Sequence, residues 1–186
     1  MKNEICVVDK KRYVFHIMRE LFLIENLTDK LPENQVFKIL STGGFTPIGF
    51  VKFVAERTHI DVLTVSTLRV GKKQLEVLHE LHRVGKLDKV NFIVGSIMKD
   101  DSSLGKSYGY YQMLLDMCER YGWTVSVANN HSKVLLFDTK SGKYVIETSS
   151  NLNENPKMEQ FSFEKNEELF DFYTKAFETL LSGREE

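Results

Sequence analysis

Cysteine, proline and any excess of one charge are scarce in this chain. Its 186 residues hold 2 Cys, Cys6 and Cys118, too few for a disulfide framework or a cysteine-rich zinc site. The 3 Pro leave no proline-rich linker, and no stretch is of low complexity. A chain of this length is long enough for one sizeable core and short for two ordinary domains, so a single domain over residues 1–186 is expected. No run of eighteen apolar residues occurs, so no membrane-spanning helix is predicted. The net charge of -1 excludes a wholesale basic surface for nucleic acid. Met1 to Arg12 carries charges at Lys2, Glu4 and from Asp9 onward, where a secretory signal needs an apolar run. A cytoplasmic protein with two reduced, inert thiols is the expectation.

Against these absences stand 42% hydrophobic and 27% charged residues, the composition of a soluble globular protein rather than a disordered one. Charge is unevenly placed. Residues 151–186 hold nine acidic and four basic side chains, so a mildly basic body precedes an acidic C-terminal helix.

The apolar spacing at Tyr13, Val14, Ile17, Met18, Leu21, Phe22 and Ile24 predicts a helix over 12–26. Residues 36–40 form a short candidate strand. A helix from Pro47 to Arg57 follows, opened by Thr46 as cap with Pro47 at its first position. Strands are predicted at 62–66, 90–95, 123–127, 134–137 and 144–147. Helices are predicted over 72–85, from a Ser102 or Ser103 cap to Tyr121 with Gly122 as stop, and from an Asn166 cap to about Gly183. This order predicts an α/β sandwich with a mixed central β-sheet flanked by helices, the first forty residues being peripheral.

Several chemical signals are weak. Gly105-Lys106-Ser107 resembles the end of a phosphate-binding loop, but Asp100 stands where the motif needs its first Gly. His79 and His82, three apart on a helix, have no third ligand in view, and His16 and His59 lack partner motifs. Tyr108, Tyr110 and Tyr111 could stack bases if exposed, or pack in the core.

The strong signal is Asn129-Asn130-His131-Ser132-Lys133-Val134-Leu135-Leu136-Phe137-Asp138, an HxKxxxxD pattern. Residues two apart on an extended segment project to one side, so an imidazole and an ammonium share a surface. That pair suits a phosphodiester, which needs attack at phosphorus and neutralisation of its non-bridging oxygens. Ten residues after Asp138 comes Thr148-Ser149-Ser150-Asn151, with hydroxyl and amide donors for phosphate oxygens. Glu159 then supplies a carboxylate able to orient an imidazole.

This arrangement resembles the phospholipase D superfamily. His131, Lys133 and Asp138 match its HxKxxxxD motif, and Ser149-Ser150-Asn151 matches the GSxN motif that follows, with Thr148 in place of the Gly. A hairpin at 139–143 lengthens the stretch between the two. The resemblance implies a phospholipase D-like α/β sandwich and metal-independent cleavage of phosphodiesters through a phosphohistidine, with no cofactor. Members bring two HxK motifs to one site. No other His in this chain has a Lys at plus two, which is similar to the short, single-motif nucleases that dimerise. On that likeness His131 is nucleophile in one subunit and acid/base in the other. Lys133 and Asn151 bind phosphate oxygens with Ser149 as helper, Glu159 holds the attacking imidazole, and Asp138 gives structural support. The leading expectation is a homodimeric nuclease acting on DNA or RNA without a membrane. A non-catalytic, nucleic-acid- or phosphate-binding dimeric module is the alternative, and a scaffold using the acidic helix a third.

Overall fold

The structure is a computed structural model that describes the backbone of residues 12–18 and residues 30–41, 45–103, 110–153 and 157–182. Eight strands form one mixed sheet: β1 (Arg12–Met18), β2 (Gln35–Ser41), β3 (Ile60–Thr67), β4 (Leu87–Gly95), β5 (Thr124–Ala128), β6 (Val134–Thr139), β7 (Gly142–Thr148) and β8 (Glu159–Lys165). Their order across the sheet is β1-β2-β8-β7-β6-β3-β4-β5. β3, β4 and β5 run parallel. β6, β7 and β8 alternate in direction, and β1 pairs in parallel with β2 at the far edge. The helices are α1 (Ile48–Arg57), α2 (Lys72–Arg83), α3 (Ile97–Ser103), α4 (Tyr111–Tyr121) and α5 (Glu167–Leu181).

The parallel strands read as apolar, β-branched runs because both of their faces are covered. On one face Phe50 and Phe53 of α1, Leu75 and Leu78 of α2, Met98 of α3 and Leu114 of α4 join Leu63, Val65, Phe92 and Phe137 in the main core. On the other, α5 sets Phe170 and Phe177 against Ile93, Val134, Leu136 and Val145. This is the sandwich with a mixed sheet that the element order predicts. α5 begins as expected: the Asn166 side chain accepts a hydrogen bond from the Leu169 N–H, with Glu167 and Glu168 in the first turn facing the positive end of the helix dipole. Gly122 ends α4 at a φ of 65°, a left-handed conformation in which glycine alone carries no steric cost.

Four elements depart from expectation. The segment read as a helix from residue 12 opens as strand β1, and residues 19–26 lie outside the described residues. A short apolar run satisfies both periodicities, and the pairing edge offered by β2 decides for the strand. Thr46 makes no side-chain cap. Pro47 takes the cap position in α-conformation, and the Thr46 carbonyl accepts from the Gly49 N–H at 3.0 Å. Ser102 and Ser103 close α3 instead of opening a long helix, and α4 starts afresh at Tyr111. Finally, β8 falls where no strand is predicted. It is held by Phe161 and Phe163, which pack against Phe45 and Phe50 with ring centroids 5.0 to 5.4 Å apart.

The remaining weak signals resolve simply. Gly105-Lys106-Ser107, Tyr108 and Cys6 lie outside the described residues, as does the side chain of His16. His79 Nδ1 bonds the Tyr121 hydroxyl at 2.5 Å and His82 Nδ1 the Leu87 carbonyl at 2.9 Å, so each ring has its own structural partner. Cys118 is buried, and burial pushes its thiol up to about 12, far from the thiolate it would need to react.

Candidate active site

The topology gathers the motif residues at one pole of the sheet. Strands β3, β4 and β5 all end there, at Thr67, Gly95 and Ala128. Because β6 runs against β3, it starts at that pole, with Val134 opposite Ser66. β7 runs against β6 and finishes there, and β8 starts there, with Thr148 opposite Phe161. His131 and Lys133 therefore enter just before β6, Ser149 and Asn151 leave just after β7, and Glu159 opens β8. Ligand sites in open α/β sheets commonly lie outside the carboxyl ends of the parallel strands.

His131 and Lys133 do sit together, though on an irregular segment rather than within the strand. Lys133 Nζ lies 2.9 Å from His131 Nδ1 and donates to the His131 carbonyl at 2.6 Å. An ammonium can only donate, so Nδ1 is the acceptor and a neutral ring carries its proton on Nε2. His131 is exposed and Lys133 half-buried. Burial lowers the Lys133 pKa, and the charge of Glu159 partly opposes that shift.

The segment is held by Asn130, to which the sequence reading assigned no role. Its carboxamide nitrogen donates to the Ile93 carbonyl at 2.9 Å, to Ser66 Oγ at 3.0 Å and, more weakly, to the Thr67 carbonyl at 3.3 Å. Its oxygen accepts from the Ser132 N–H at 2.9 Å and from Ser132 Oγ at 2.8 Å. Since the Ser132 hydroxyl proton points to Asn130, the 2.5 Å contact between Ser66 Oγ and Ser132 Oγ has Ser66 as donor. The three side chains close a ring of hydrogen bonds that locks residues 130–132 onto the ends of β3 and β4. Gly95 permits the approach: a Cβ there would lie 3.0 Å from both the Asn130 and Leu68 carbonyl oxygens.

The second motif is pinned just as firmly. Asn151 Oδ1 accepts from the Leu68 N–H at 3.2 Å, a donor that can only meet oxygen, so the amide orientation is settled and its NH2 group remains for an acceptor. The Leu152 N–H donates to Thr67 Oγ1 at 3.0 Å, and the Thr67 hydroxyl passes its own proton to the Arg69 carbonyl at 3.0 Å. Ser149 Oγ donates to Glu159 Oε2, and the Gln160 N–H donates to Ser149 Oγ at 3.1 Å. Thr148, where a Gly is expected, is the last residue of β7. Its hydroxyl donates to the Gln160 carbonyl at 2.7 Å and accepts from the Ser150 N–H at 3.0 Å, so it ties the turn rather than disturbing it.

Asp138 is placed elsewhere. It lies five residues along β6 from Lys133, roughly 17 Å at the rise of a strand, paired across from Lys143. The longer hairpin turns at Lys140-Ser141 on that same far pole, anchored by Lys140 Nζ on Asp61 at 2.7 Å and Ser141 Oγ on Thr58 at 2.8 Å. There His59, Asp61 and Asp88 bring three ligand-type atoms within 4.8 Å of one another. The Lys140 ammonium already neutralises Asp61, and Asp88 is 61% exposed, which suits a solvated charge cluster better than a metal centre. No spacing in the sequence announces this group, because its members come from the starts of two strands.

No protein-family model matches the chain, and no curated protein matches it by sequence. Among solved structures it is similar to polyphosphate kinase from Porphyromonas gingivalis, with a TM-score of 0.58 and 16% identity over 88% of this chain and 28% of that one. It is also similar to phosphatidylserine synthase from Haemophilus influenzae Rd KW20, with a TM-score of 0.52 and 16% identity over 80% of this chain and 38% of that one. The chain thus spans well under half of either protein. Both have phospholipase D-like folds, and the α/β sandwich described above is of that kind.

Proposed function

We propose that this chain belongs to the phospholipase D superfamily and is a metal-independent phosphodiesterase. It is a cytoplasmic nuclease that cleaves DNA or RNA through a phosphohistidine, with two copies pairing their His131 residues across a two-fold axis. The observation that supports this reading most is the contact of Lys133 Nζ with the His131 ring, beside the donor group of Asn151 and the Ser149–Glu159 pair. A cation, an amide donor and an imidazole at one pole are what a phosphodiester needs.

In the free protein Lys133 occupies the Nδ1 lone pair. A bound diester draws the Lys133 N–H groups and the Asn151 amide onto its non-bridging oxygens. The ring proton then moves to Nδ1, where the Glu159 carboxylate accepts from it, and Nε2 gains the lone pair. Nε2 attacks phosphorus, a P–N bond forms, and the P–O bond to the leaving group breaks as His131 of the partner subunit gives it a proton. That second imidazole next takes a proton from water. The hydroxide oxygen bonds phosphorus, the P–N bond breaks, and a phosphomonoester leaves.

The test is incubation of the purified protein with plasmid DNA and single-stranded RNA in excess EDTA. Cleavage that His131→Ala abolishes, by a species with the mass of a dimer in solution, is the expected result. A strict requirement for a divalent metal would refute the mechanism. A second reading, a non-catalytic dimeric module that holds phosphate, is favoured by the resting position of Lys133 on the imidazole lone pair. Salt-sensitive binding with no product and no trapped phosphohistidine would select it.

A further inference from the structure

Beside the motif residues opens a cleft of about 490 Å³, lined by Arg69, Lys72, Lys73, Gln74, Tyr110 and Asn153. Through Asn153 it adjoins the turn that carries Asn151. The Gly71 N–H donates to the Leu152 carbonyl at 2.8 Å, next to Asn151, and Val70 bridges Leu152. Arg69 braces one wall through two nitrogens on Asp101, at 2.8 and 3.0 Å, and Asp101 is itself buried.

Helix α2, of 12 residues, starts in this cleft with Gly71 at its cap position and no side-chain cap. Its first N–H groups and the positive end of its dipole therefore face an opening whose rim carries Lys72 and Lys73. A helix start alone would mean little. The second observation is Gln74, which is only 3% exposed and whose Oε1 has no hydrogen-bond partner among the described residues. That oxygen lies close to the helix start, where a Cβ at Gly71 would come within 2.3 Å of it. A buried amide acceptor left unmatched is costly in the free protein and asks for a donor from outside.

We infer that the cleft is a nucleotide subsite. It takes the nucleotide next to the cleaved bond, with its phosphate on the start of α2 and the Lys72 and Lys73 ammonium groups, its base against Tyr110, and a donor of its base or sugar on the Gln74 carboxamide. An inorganic phosphate chain offers acceptors only and leaves Oε1 unmatched, whereas a nucleotide carries both kinds of group. The neighbouring cleaved bond rests on the proposed phosphodiesterase reading; the binding itself does not.

The experiment measures equilibrium binding to the full chain carrying His131→Ala, so that nothing turns over, by anisotropy of a 3′-labelled single-stranded 12-mer in a salt series, with inorganic tripolyphosphate as competitor. Lys72→Gln with Lys73→Gln weakens the oligonucleotide at least tenfold and flattens the salt dependence by about 0.7 per lysine. Gln74→Met weakens the oligonucleotide at least fivefold, leaves tripolyphosphate within twofold, and melts at or above the parent temperature because an orphaned acceptor is gone. Unchanged affinity and slope in the lysine double variant overturns the subsite. Equal loss for both probes in Gln74→Met, or a lower melting temperature, overturns the assignment to a nucleotide. Cleavage in EDTA without these binding shifts keeps the nuclease and removes the subsite; the shifts without cleavage do the reverse.

Discussion

Asn130 is the residue whose loss should cost most for its size. Replacing it with Ala removes its donations to the Ile93 carbonyl and Ser66 and its acceptances from Ser132. Ser132 is exposed, so water replaces those bonds cheaply. Ile93 and Ser66 lie fully inside; the Ile93 carbonyl loses the Asn130 donor, and Ser66 Oγ loses it too while keeping its bond to Ser132. Two such groups at the usual net value of a buried hydrogen bond give about 2 to 3 kcal/mol. For a chain of this length that is a fall in melting temperature of roughly 4 to 12 °C. Asn130→Asp sharpens the test. It retains the Ser132 contacts but turns a carboxylate oxygen toward the Ile93 and Thr67 carbonyl oxygens. At pH 7 it should therefore be less stable than Asn130→Ala, and it should recover on acidification, because the carboxyl is protonated more readily in the folded state than in the unfolded one. Urea unfolding of the three proteins at pH 7 and pH 5 decides the matter. An Asp variant as stable as the Ala variant at pH 7, or a loss below 0.5 kcal/mol for Ala, would show that the hydrogen-bonded ring does not hold the His131 segment.

Two further substitutions probe the site and the core. Burial already lowers the Lys133 pKa while Glu159 holds it up in part, so Glu159→Gln should lower it further. Lys133 then loses its proton at a lower pH, and the alkaline limb of the cleavage rate should move toward acid; an unmoved or more alkaline limb refutes the coupling. Tyr144 is fully buried with its hydroxyl unmatched among the described residues, and burial pushes it up to about 12. Tyr144→Phe should be neutral or stabilising by up to about 1 kcal/mol in thermal unfolding, and a loss larger than that would reveal a partner for the hydroxyl.

The sequence disclosed most where one periodicity stood alone. β3, β4 and β6 are dense in β-branched and apolar residues and were legible at once, as was α5 from its Asn166 cap. β1 was not, because Tyr13, Val14, Ile17 and Met18 fit a helical stripe as well as a strand. β8 was hidden by its charges. Only Phe161 and Phe163 mark its inner face, while Glu159 and Glu164 are buried polar groups that no pattern of apolar alternation announces. In the site, the neighbourhood of His131 and Lys133 followed from a spacing of two. The device that enforces it, a ring of hydrogen bonds among Ser66, Asn130 and Ser132, joins residues 66 apart and leaves no local mark. The orphaned oxygen of Gln74 is likewise a fact of burial alone.

The far-pole hairpin has a practical use. Its turn, Lys140-Ser141, is exposed and sits a full strand length from the imidazole. A fluorophore, affinity handle or short insert grafted at that tip would ride on rigid backbone without shadowing the reaction cleft, so a tethered copy could be watched while its opposite end stays free to meet substrate.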